Sequence, residues 1–207
     1  ARNSLSEIGV GLVTYALSRR GLTPWRDCLT ILELTRLLGE NSIDCVLSYT
    51  AKPVVYGPIA ARRAGVPGIF SIITGLGFAF STDTLLARLV RRVNIYLYKI
   101  SIKHNRRVFF QNPDDWQLFI DYNILTSKDK GVLVNGSGVD LDRFAPEPLP
   151  KNLTFLLIGR LIAEKGIREY VEAARHVKRR YPNVRFLLVG GFETGAHQIT
   201  RAEVERW

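Results

Sequence analysis

Two cations, Arg160 and Lys165, stand in a stretch of sequence that suits the binding of an anion. They follow the apolar run 155–158 and Gly159, and apolar side chains recur at helical spacing over residues 167–181. The run does not alternate with polar residues, which is typical of a strand covered on both faces in a parallel α/β sheet. The cations are thus predicted in a loop between a strand and a helix N-terminus, where backbone N–H groups also favour an anion. A pair of solvated loop cations is the alternative.

A glycine-containing loop follows another apolar run, residues 69–74. Thr74 ends the run and Gly75 and Gly77 follow it, and glycine lets a backbone approach a ligand where a side chain would collide. The sequence GLGFAF lacks the last glycine of a dinucleotide-binding fingerprint, so NAD binding has no support. The alternative is a simple turn.

Polar residues also close two further predicted strands. Lys52 comes just past a strand that ends at Tyr49, and Gln111 and Asn112 end the strand 107–111. Carboxyl ends of parallel strands share one sheet edge, so these residues are candidates for a cleft. Lys52 is equally well explained as a solvated lysine that opens a helix. Asn112 precedes Pro-Asp-Asp, so a helix-capping role is favoured for it.

The elements that must position these residues alternate along the chain. The predicted strands are 11–17, 43–49, 68–74, 107–111, 131–134, 153–158 and 184–189, and the predicted helices are 24–38, 52–64, 84–105, 113–122 and 167–181. This alternation indicates βαβ units, parallel sheets and right-handed crossovers. Three prolines between residues 140 and 152 interrupt all periodicity and indicate a domain boundary. The predicted domains are residues 1–146 and 147–207, with Gly136 and Gly138 shaping the turn that leads into the linker.

Composition and charge limit the kinds of partner and site that this chain can have. Among 207 residues, 46% are hydrophobic and 23% charged, and the net charge of +10 suits nucleic acid, an anionic membrane surface or phosphorylated substrates. The two cysteines and three histidines show no disulfide, metal-ligand or catalytic-triad spacing, and a reducing cytoplasm fits best. The chain contains no methionine, so we interpret it as a piece of a longer protein.

Several stretches together resemble a known family, the retaining nucleotide-sugar glycosyltransferases of family 4, which have the two-domain GT-B fold. These stretches are YTAKPVVYGPIAARRAGVP with ITGLGFAF, FQNPDD with VNGSGVDLDRFAP, and LLIGRLIAEKGIREYVEAA with VRFLLVGG. The first pair is similar to the subgroup that builds bacterial surface polysaccharides. The resemblance implies two Rossmann-like parallel-sheet domains, both incomplete here: the family's first strand would precede Ala1, and its Glu-x7-Glu region would follow Trp207.

The resemblance also implies roles for the candidate residues. Gly159, Arg160 and Lys165 would bind the diphosphate of the donor, and the two cations would stabilise that diphosphate as it leaves. Thr74, Gly75, Gly77, Lys52, Gln111 and Asn112 would line the acceptor side of the interdomain cleft, and Gly136 and Gly138 would act as a hinge. No metal and no cofactor are expected besides the nucleotide-sugar substrate.

The function predicted from the resemblance is sugar transfer, with retention, from a nucleotide-diphosphate sugar to a hydroxyl of a growing lipid-linked glycan. The isolated fragment is expected to be inactive. A nucleotide-sugar epimerase of the same fold is one alternative. A non-catalytic, basic nucleic-acid-binding module is the other, although the cations lack interleaved aromatic residues.

The predicted helix 84–105 carries a basic stripe beside an apolar one. Arg88, Arg92, Lys99, Lys103 and Arg106 fall on one face, and Leu86, Leu89, Val93, Leu97 and Ile100 cluster on another. This pattern suits a helix at an anionic membrane surface, and it also suits a helix packed on a sheet with a solvated outer face, which is slightly favoured. The expected location is cytoplasmic, at the inner face of the cell membrane.

Overall fold

The computed structural model describes residues 5, 7–17, 24–76, 80, 84–193 and 198–207. Its contacts divide the chain into two compact units, Ala1–Gly138 and Val139–Trp207. The units therefore separate at the start of the proline-containing segment. The predicted domain boundary after residue 146 lies further along that segment.

The first unit is built on a four-stranded parallel sheet. Its strands are β1 (Cys45–Tyr49), β2 (Gly68–Ile73), β3 (Arg107–Phe110) and β4 (Gly131–Leu133), and they lie in the order β1-β2-β3-β4. Ser48 pairs with Ser71, and Ile73 pairs with Phe110. The predicted strands 43–49, 68–74, 107–111 and 131–134 are confirmed, each with bounds shifted by no more than a few residues.

Helix α1 (Pro24–Glu40) precedes β1. Helices α2 (Ala51–Arg63), α3 (Leu85–Ile102) and α4 (Pro113–Asp121) connect successive strands, as βαβ units require, and the short 3-10 helix Lys128–Lys130 precedes β4. The Thr84 side chain caps α3 by accepting from the Ala87 N–H at 3.2 Å. The helices predicted at 24–38, 52–64, 84–105 and 113–122 are thus all present.

The core of the first unit lies where α2, α3 and α4 meet the sheet. Phe110 and Phe119 are fully buried with ring centroids 5.1 Å apart, and Tyr98 packs against Phe119 at 5.3 Å. A buried hydroxyl inside this layer has a partner, because the Ser101 hydroxyl donates to the Val54 carbonyl at 2.5 Å. Because buried polar groups are costly when unpaired, such bonds fix α3 on α2 in one position.

The predicted strand at residues 11–17 is wrong. This segment has no strand pairing and runs beside α1 instead. The Ala16 carbonyl accepts from the Thr30 hydroxyl at 2.8 Å, and the Ala16 N–H donates to the Glu33 carboxylate at 3.2 Å. Helix side chains therefore take the hydrogen bonds that a neighbouring strand would have supplied.

The second unit has a two-stranded parallel sheet of β5 (Thr154–Ile158) and β6 (Arg185–Val189). Between them come the 3-10 helix Ala163–Lys165 and α5 (Ile167–Arg180), and the short helix α6 (Arg201–Val204) follows β6. Its small core contains Leu161, Ile167 and Ile199. The predicted strand–helix–strand order is confirmed.

The prediction that β5 is covered on both faces is wrong for this chain. The rings of Phe155 and Phe186 pack on the side that α5 covers, where Tyr170 meets Phe186 at 5.7 Å. The other side of the two strands carries exposed Leu156, Ile158, Leu187 and Val189. A non-alternating apolar strand needs two covering layers, and the described residues supply one.

Among the described residues, no helix combines the length and the apolar character needed to cross a bilayer.

We expect Phe119→Ala to lower the free energy of unfolding by about 3–5 kcal/mol, because it leaves a cavity between two buried aromatic rings. Urea denaturation followed by circular dichroism measures this. Tyr122→Ala, which removes an aromatic residue that is 36% exposed just beyond the same helix, is the control and should cost less. Equal losses in the two variants would contradict the described core.

Candidate functional site

The loop after β5 carries Arg160 and Lys165 and is held by backbone hydrogen bonds. The Gly159 N–H donates to the Val189 carbonyl at 2.9 Å, and the Leu161 N–H donates to the Gly191 carbonyl at 3.0 Å. On its other side, the Ile199 N–H donates to the Leu161 carbonyl at 2.9 Å. Arg160 thus lies between two backbone anchors, so its starting position is fixed although its side chain is exposed.

Gly190 allows the two strand ends to meet this closely. A Cβ added at Gly190 would lie 1.8 Å from the Gly159 carbonyl oxygen, a distance that no real Cβ shows. The same addition at Gly191 meets no atom of the described residues within 4 Å. Packing against these residues therefore requires the first glycine of the pair and not the second.

The two cations of the loop differ in their surroundings. The Arg160 guanidinium lies 3.7 Å from the Glu193 carboxylate, and the Arg160 side chain is 64% exposed. An ion pair this exposed contributes little to stability, so an anionic ligand can replace Glu193 at small cost. Lys165 ends the 3-10 turn, and its Cγ lies 3.8 Å from the position of a Cβ on Gly159. Both cations therefore lie around the end of β5, as the sequence predicted.

The helix that follows is anchored at its first turn. Arg168 of α5 donates to both carboxylate oxygens of Glu203 in α6, at 2.6 Å and 3.1 Å. This hydrogen bond raises the pKa of Arg168 and lowers the pKa of Glu203. The Tyr170 hydroxyl also lies within hydrogen-bond distance of the Phe155 and Leu187 carbonyls, at 3.0 Å and 2.9 Å. The start of α5, beside Lys165, is therefore tied to the sheet and to α6.

In the first unit, the candidate acceptor residues lie at the carboxyl edge of the parallel sheet. Each follows the end of a strand, and because all four strands are parallel these ends lie on one side. The residues at this edge are Lys52 after β1, Thr74 and Gly75 after β2, Gln111 and Asn112 after β3, and Gly136 and Gly138 after β4. Gly77 lies outside the described residues.

Lys52 has a partner that the sequence did not indicate. Its ammonium lies 3.6 Å from the Asp27 carboxylate of α1, and both side chains are mostly buried. Burial and a hydrogen bond to Asp27 raise the pKa of Tyr56, one turn along α2 from Lys52. The pair joins α1 to α2, which gives Lys52 a structural role beside the predicted one. Its role at the acceptor side stays a prediction.

The loop after β2 is open. Thr74 and Gly75 are exposed, and Gly75 has a φ of 135°, a conformation that side-chain-bearing residues rarely adopt. Among the described residues, no atom lies within 4 Å of a Cβ placed on Gly75. The glycine is therefore required by its backbone conformation and not by close packing against these residues.

Gln111 and Asn112 make different hydrogen bonds. The Gln111 amide donates to the Ser137 hydroxyl at 3.0 Å and so ties the end of β3 to the turn that contains Gly136 and Gly138. Asn112 caps α4: its carbonyl oxygen accepts from the Asp115 N–H at 2.7 Å, and its NH₂ donates to the Asp115 carboxylate at 2.8 Å. The favoured capping role of Asn112 is confirmed.

Sequence reasoning missed the partners of the candidate residues. Asp27, Glu193 and Ser137 lie 25, 33 and 26 positions from Lys52, Arg160 and Gln111, and no local pattern links such pairs. Gly190 could have been found, since a Gly-Gly pair directly after a predicted strand indicates a close backbone approach. Within the described residues, no group of three His, Cys, Asp or Glu side chains could hold a metal ion.

The chain was compared with known proteins. The family model described as "Glycosyl transferase 4-like" matches residues 5–112, which is more than half of the chain. A Campylobacter jejuni protein named N,N'-diacetylbacillosaminyl-diphospho-undecaprenol alpha-1,3-N-acetylgalactosaminyltransferase is 28% identical over 201 residues, covering 90% of this chain and 52% of the relative.

A second relative and a solved structure agree with the family match. An Escherichia coli protein named UDP-Gal:alpha-D-GlcNAc-diphosphoundecaprenol alpha-1,3-galactosyltransferase is 28% identical over 188 residues, covering 84% of this chain and 47% of the relative. The chain thus spans about half the length of the curated relatives it matches. The crystal structure of Anabaena Alr3699/HepE with UDP and glucose aligns with a TM-score of 0.61 at 15% identity, over 90% of this chain and 50% of that one. The fold is therefore of the GT-B type.

We expect Gly190→Ala to lower the free energy of unfolding by about 1–3 kcal/mol, because its methyl group would force β6 away from the Gly159 carbonyl. Chemical denaturation of the full-length protein measures this. Gly191→Ala is the matched control, and its effect should stay within about 0.5 kcal/mol. Similar effects of the two substitutions would show that the strand ends do not meet as described.

For Asn112→Ala we expect a loss of about 1 kcal/mol in unfolding free energy, because the Asp115 N–H loses its acceptor. Asn112→Ser keeps an oxygen at the capping position and should recover most of that loss. Thermal unfolding of the three proteins tests this. Unchanged stability in Asn112→Ala would argue against a cap.

Proposed function

The chain belongs to the glycosyl transferase 4-like family, and from this premise we propose that its protein transfers a sugar from a nucleotide-diphosphate donor to a hydroxyl of a growing lipid-linked glycan. The reaction belongs to bacterial surface-polysaccharide synthesis and retains the anomeric configuration. Two relatives whose names specify sugar transfer to undecaprenol-diphosphate-linked sugars support this proposal.

The observation that carries the donor side is the loop after β5. Arg160 and Lys165 stand at the carboxyl end of a parallel strand and before the first turn of a 14-residue helix. The backbone on both sides of Arg160 is fixed by β6, Gly191 and Ile199, and the Lys165 N–H donates to the Ile162 carbonyl within the loop. Both side chains are exposed. We assign this loop, with Gly159, to the diphosphate of the donor. Arginine can offer two N–H groups to two phosphate oxygens, and lysine adds a point charge.

The proposed chemistry uses these charges in the transition state. The bond between the anomeric carbon and the diphosphate oxygen breaks, a bond to the acceptor hydroxyl oxygen forms, and the hydroxyl proton passes to the leaving diphosphate. Negative charge grows on the leaving diphosphate, and cations already held in place stabilise it without reorganisation. No nucleophilic side chain is assigned, so positioning of the two substrates supplies the rest of the rate enhancement.

We assign the acceptor side to the carboxyl edge of the sheet in the first unit, with Lys52, Thr74, Gly75, Gly77, Gln111 and Asn112. The Gln111–Ser137 hydrogen bond gives the turn at Gly136 and Gly138 a defined start, which suits the proposed hinge. The proposed reaction uses no metal and no cofactor beyond the donor. The proposed location is the cytoplasm, at the inner face of the cell membrane.

Two other functions make different predictions. A nucleotide-sugar epimerase would convert a free nucleotide sugar without an acceptor, and a nucleic-acid-binding module would convert none. Transfer is favoured over both because the names of the two curated relatives specify transferases. Acceptor-dependent release of nucleoside diphosphate from a panel of nucleotide sugars separates the three.

In the full-length protein, we expect Arg160→Ala or Lys165→Ala to lower turnover by roughly 10²–10³-fold, the scale found when one fixed stabilising donor is removed. The reason is the loss of a positive charge at the leaving diphosphate. Nucleoside diphosphate release under saturating donor and acceptor measures the rate.

Arg179→Ala is the matched control, since it removes an exposed cation at the far end of α5. It should keep the parent turnover, and all three variants should unfold at the parent temperature. Near-parent rates in both loop variants would refute the assignment of this loop to the donor.

A further inference from the structure

Helix α3 carries three exposed leucines that lie outside its packed inner side. Its inner side is complete, because Ala87, Tyr98, Ser101 and Ile102 are all buried. Leu85, Leu86 and Leu89 are nevertheless 83%, 71% and 60% exposed within its first five residues. Three leucines this close on one surface are an apolar patch that a solvated helix does not need.

Cations lie on the same outer face of α3. Residues 85, 89, 92, 96, 99 and 103 recur at spacings of three and four, so they lie on one side of the helix. These are Leu85, Leu89, Arg92, Tyr96, Lys99 and Lys103, and all six are exposed. Val93, Leu97 and Ile100 of the predicted apolar stripe are partly buried instead, so the leucines of the first turns stand beside the basic residues.

Cations surround the carboxyl end of this face. The sequence has no acidic residue between Asp83 and Asp114. At the carboxyl end of α3, burial and the charges of Lys103, Arg62 and Lys130 lower the pKa of His104. A surface that joins leucines, an exposed tyrosine and cations without acids complements an anionic bilayer, whose headgroups are negative and whose interior is apolar. Nucleic acid would use the cations but would leave the leucines in water.

The position of the leucines connects this face to the acceptor. The crossover from β2 to β3 is parallel, so α3 begins at the carboxyl edge of the sheet and returns to the other edge. The leucines are therefore at the edge where Thr74 and Gly75 lie. The cations of the later turns lie further from that edge.

We propose that the outer face of α3 docks on an anionic lipid bilayer, with Leu85, Leu86 and Leu89 entering the interface and Arg92, Lys99 and Lys103 contacting headgroups. This inference rests on the proposed function in taking the acceptor to be lipid-linked. Docking at this face brings the carboxyl edge of the first sheet next to the bilayer, where the diphosphate and sugar of such an acceptor are exposed. Docking by this face thus determines which acceptors the protein reaches. It does not change the proposed donor loop.

The test is sedimentation of the full-length protein with vesicles of phosphatidylcholine containing phosphatidylglycerol. We expect Leu85→Ser with Leu89→Ser to weaken binding by about tenfold or more, because apolar area no longer leaves water. Arg92→Glu with Lys99→Glu should weaken it by at least about 25-fold, as each lost cation alone reduces binding by about fivefold. Salt should weaken the parent's binding, and pure phosphatidylcholine should bind poorly.

Matched controls use equally exposed residues elsewhere. Leu141→Ser with Leu149→Ser removes two leucines that are 74% and 90% exposed, and Lys178→Glu with Arg179→Glu makes the same charge change on α5. Both should bind vesicles like the parent. Absent vesicle binding, binding insensitive to salt, or equal losses in the control variants would overturn the proposal, and binding only to an acidic protein or to nucleic acid would also overturn it.

Transfer assays separate this inference from the proposed function. The leucine variant should transfer sugar to a short-chain, water-soluble acceptor at the parent rate and to the vesicle-embedded acceptor at least about tenfold more slowly. Equal rates on the embedded acceptor would refute docking by α3. If the parent transfers no sugar to either acceptor, the proposed function fails, and vesicle sedimentation still decides whether this face binds lipid.

Discussion

Parallel strand pairing is the constraint on which the candidate sites depend. Because every strand of a parallel sheet runs in the same direction, each loop that leaves a carboxyl end must emerge at the same edge. In the first unit this brings together Lys52, Gly75 and Gln111, which follow three different strands. In the second unit it places the loop of Arg160 and Lys165 next to the glycines that follow β6. Neither grouping needs a direct contact between the candidate side chains.

The two cations of the loop after β5 and the backbone groups that hold this loop have different physical roles. Arg160 and Lys165 are exposed, so they contribute little to folding and remain available to an anion. The backbone on both sides of Arg160 is held by groups without charge, namely the Val189 and Gly191 carbonyls and the Ile199 N–H. The Lys165 N–H donates to the Ile162 carbonyl. Lys52 shows the opposite arrangement, since its charge is mostly buried against Asp27. Removing one member of such a pair leaves a buried charge, so a loss of activity in a Lys52 variant must be compared with its loss of stability.

Both units expose apolar surface, but for different reasons. The outer side of β5 and β6 is apolar on both strands, as expected for a sheet that has a second covering layer in a larger domain. The leucines of α3 lie instead on a helix whose inner side is already packed and whose outer side is otherwise basic. Surrounding charge therefore distinguishes the two surfaces. An uncharged apolar sheet face suits further protein, whereas a basic apolar helix face suits anionic lipid.

The sequence by itself determined the features that depend on neighbouring residues. The Asn112 cap, the strand–loop–helix order around Arg160 and the alternation of strands and helices follow from local turn chemistry and periodicity. Tertiary structure decided what depends on distant partners. Residues 11–17 look like a strand, but Thr30 and Glu33 take the hydrogen bonds of Ala16. The periodicity of residues 84–105 fits burial and lipid contact equally, and only packing left Leu85, Leu86 and Leu89 outside. Periodicity fixes which residues share a face, whereas the neighbours present in the fold fix which face is covered.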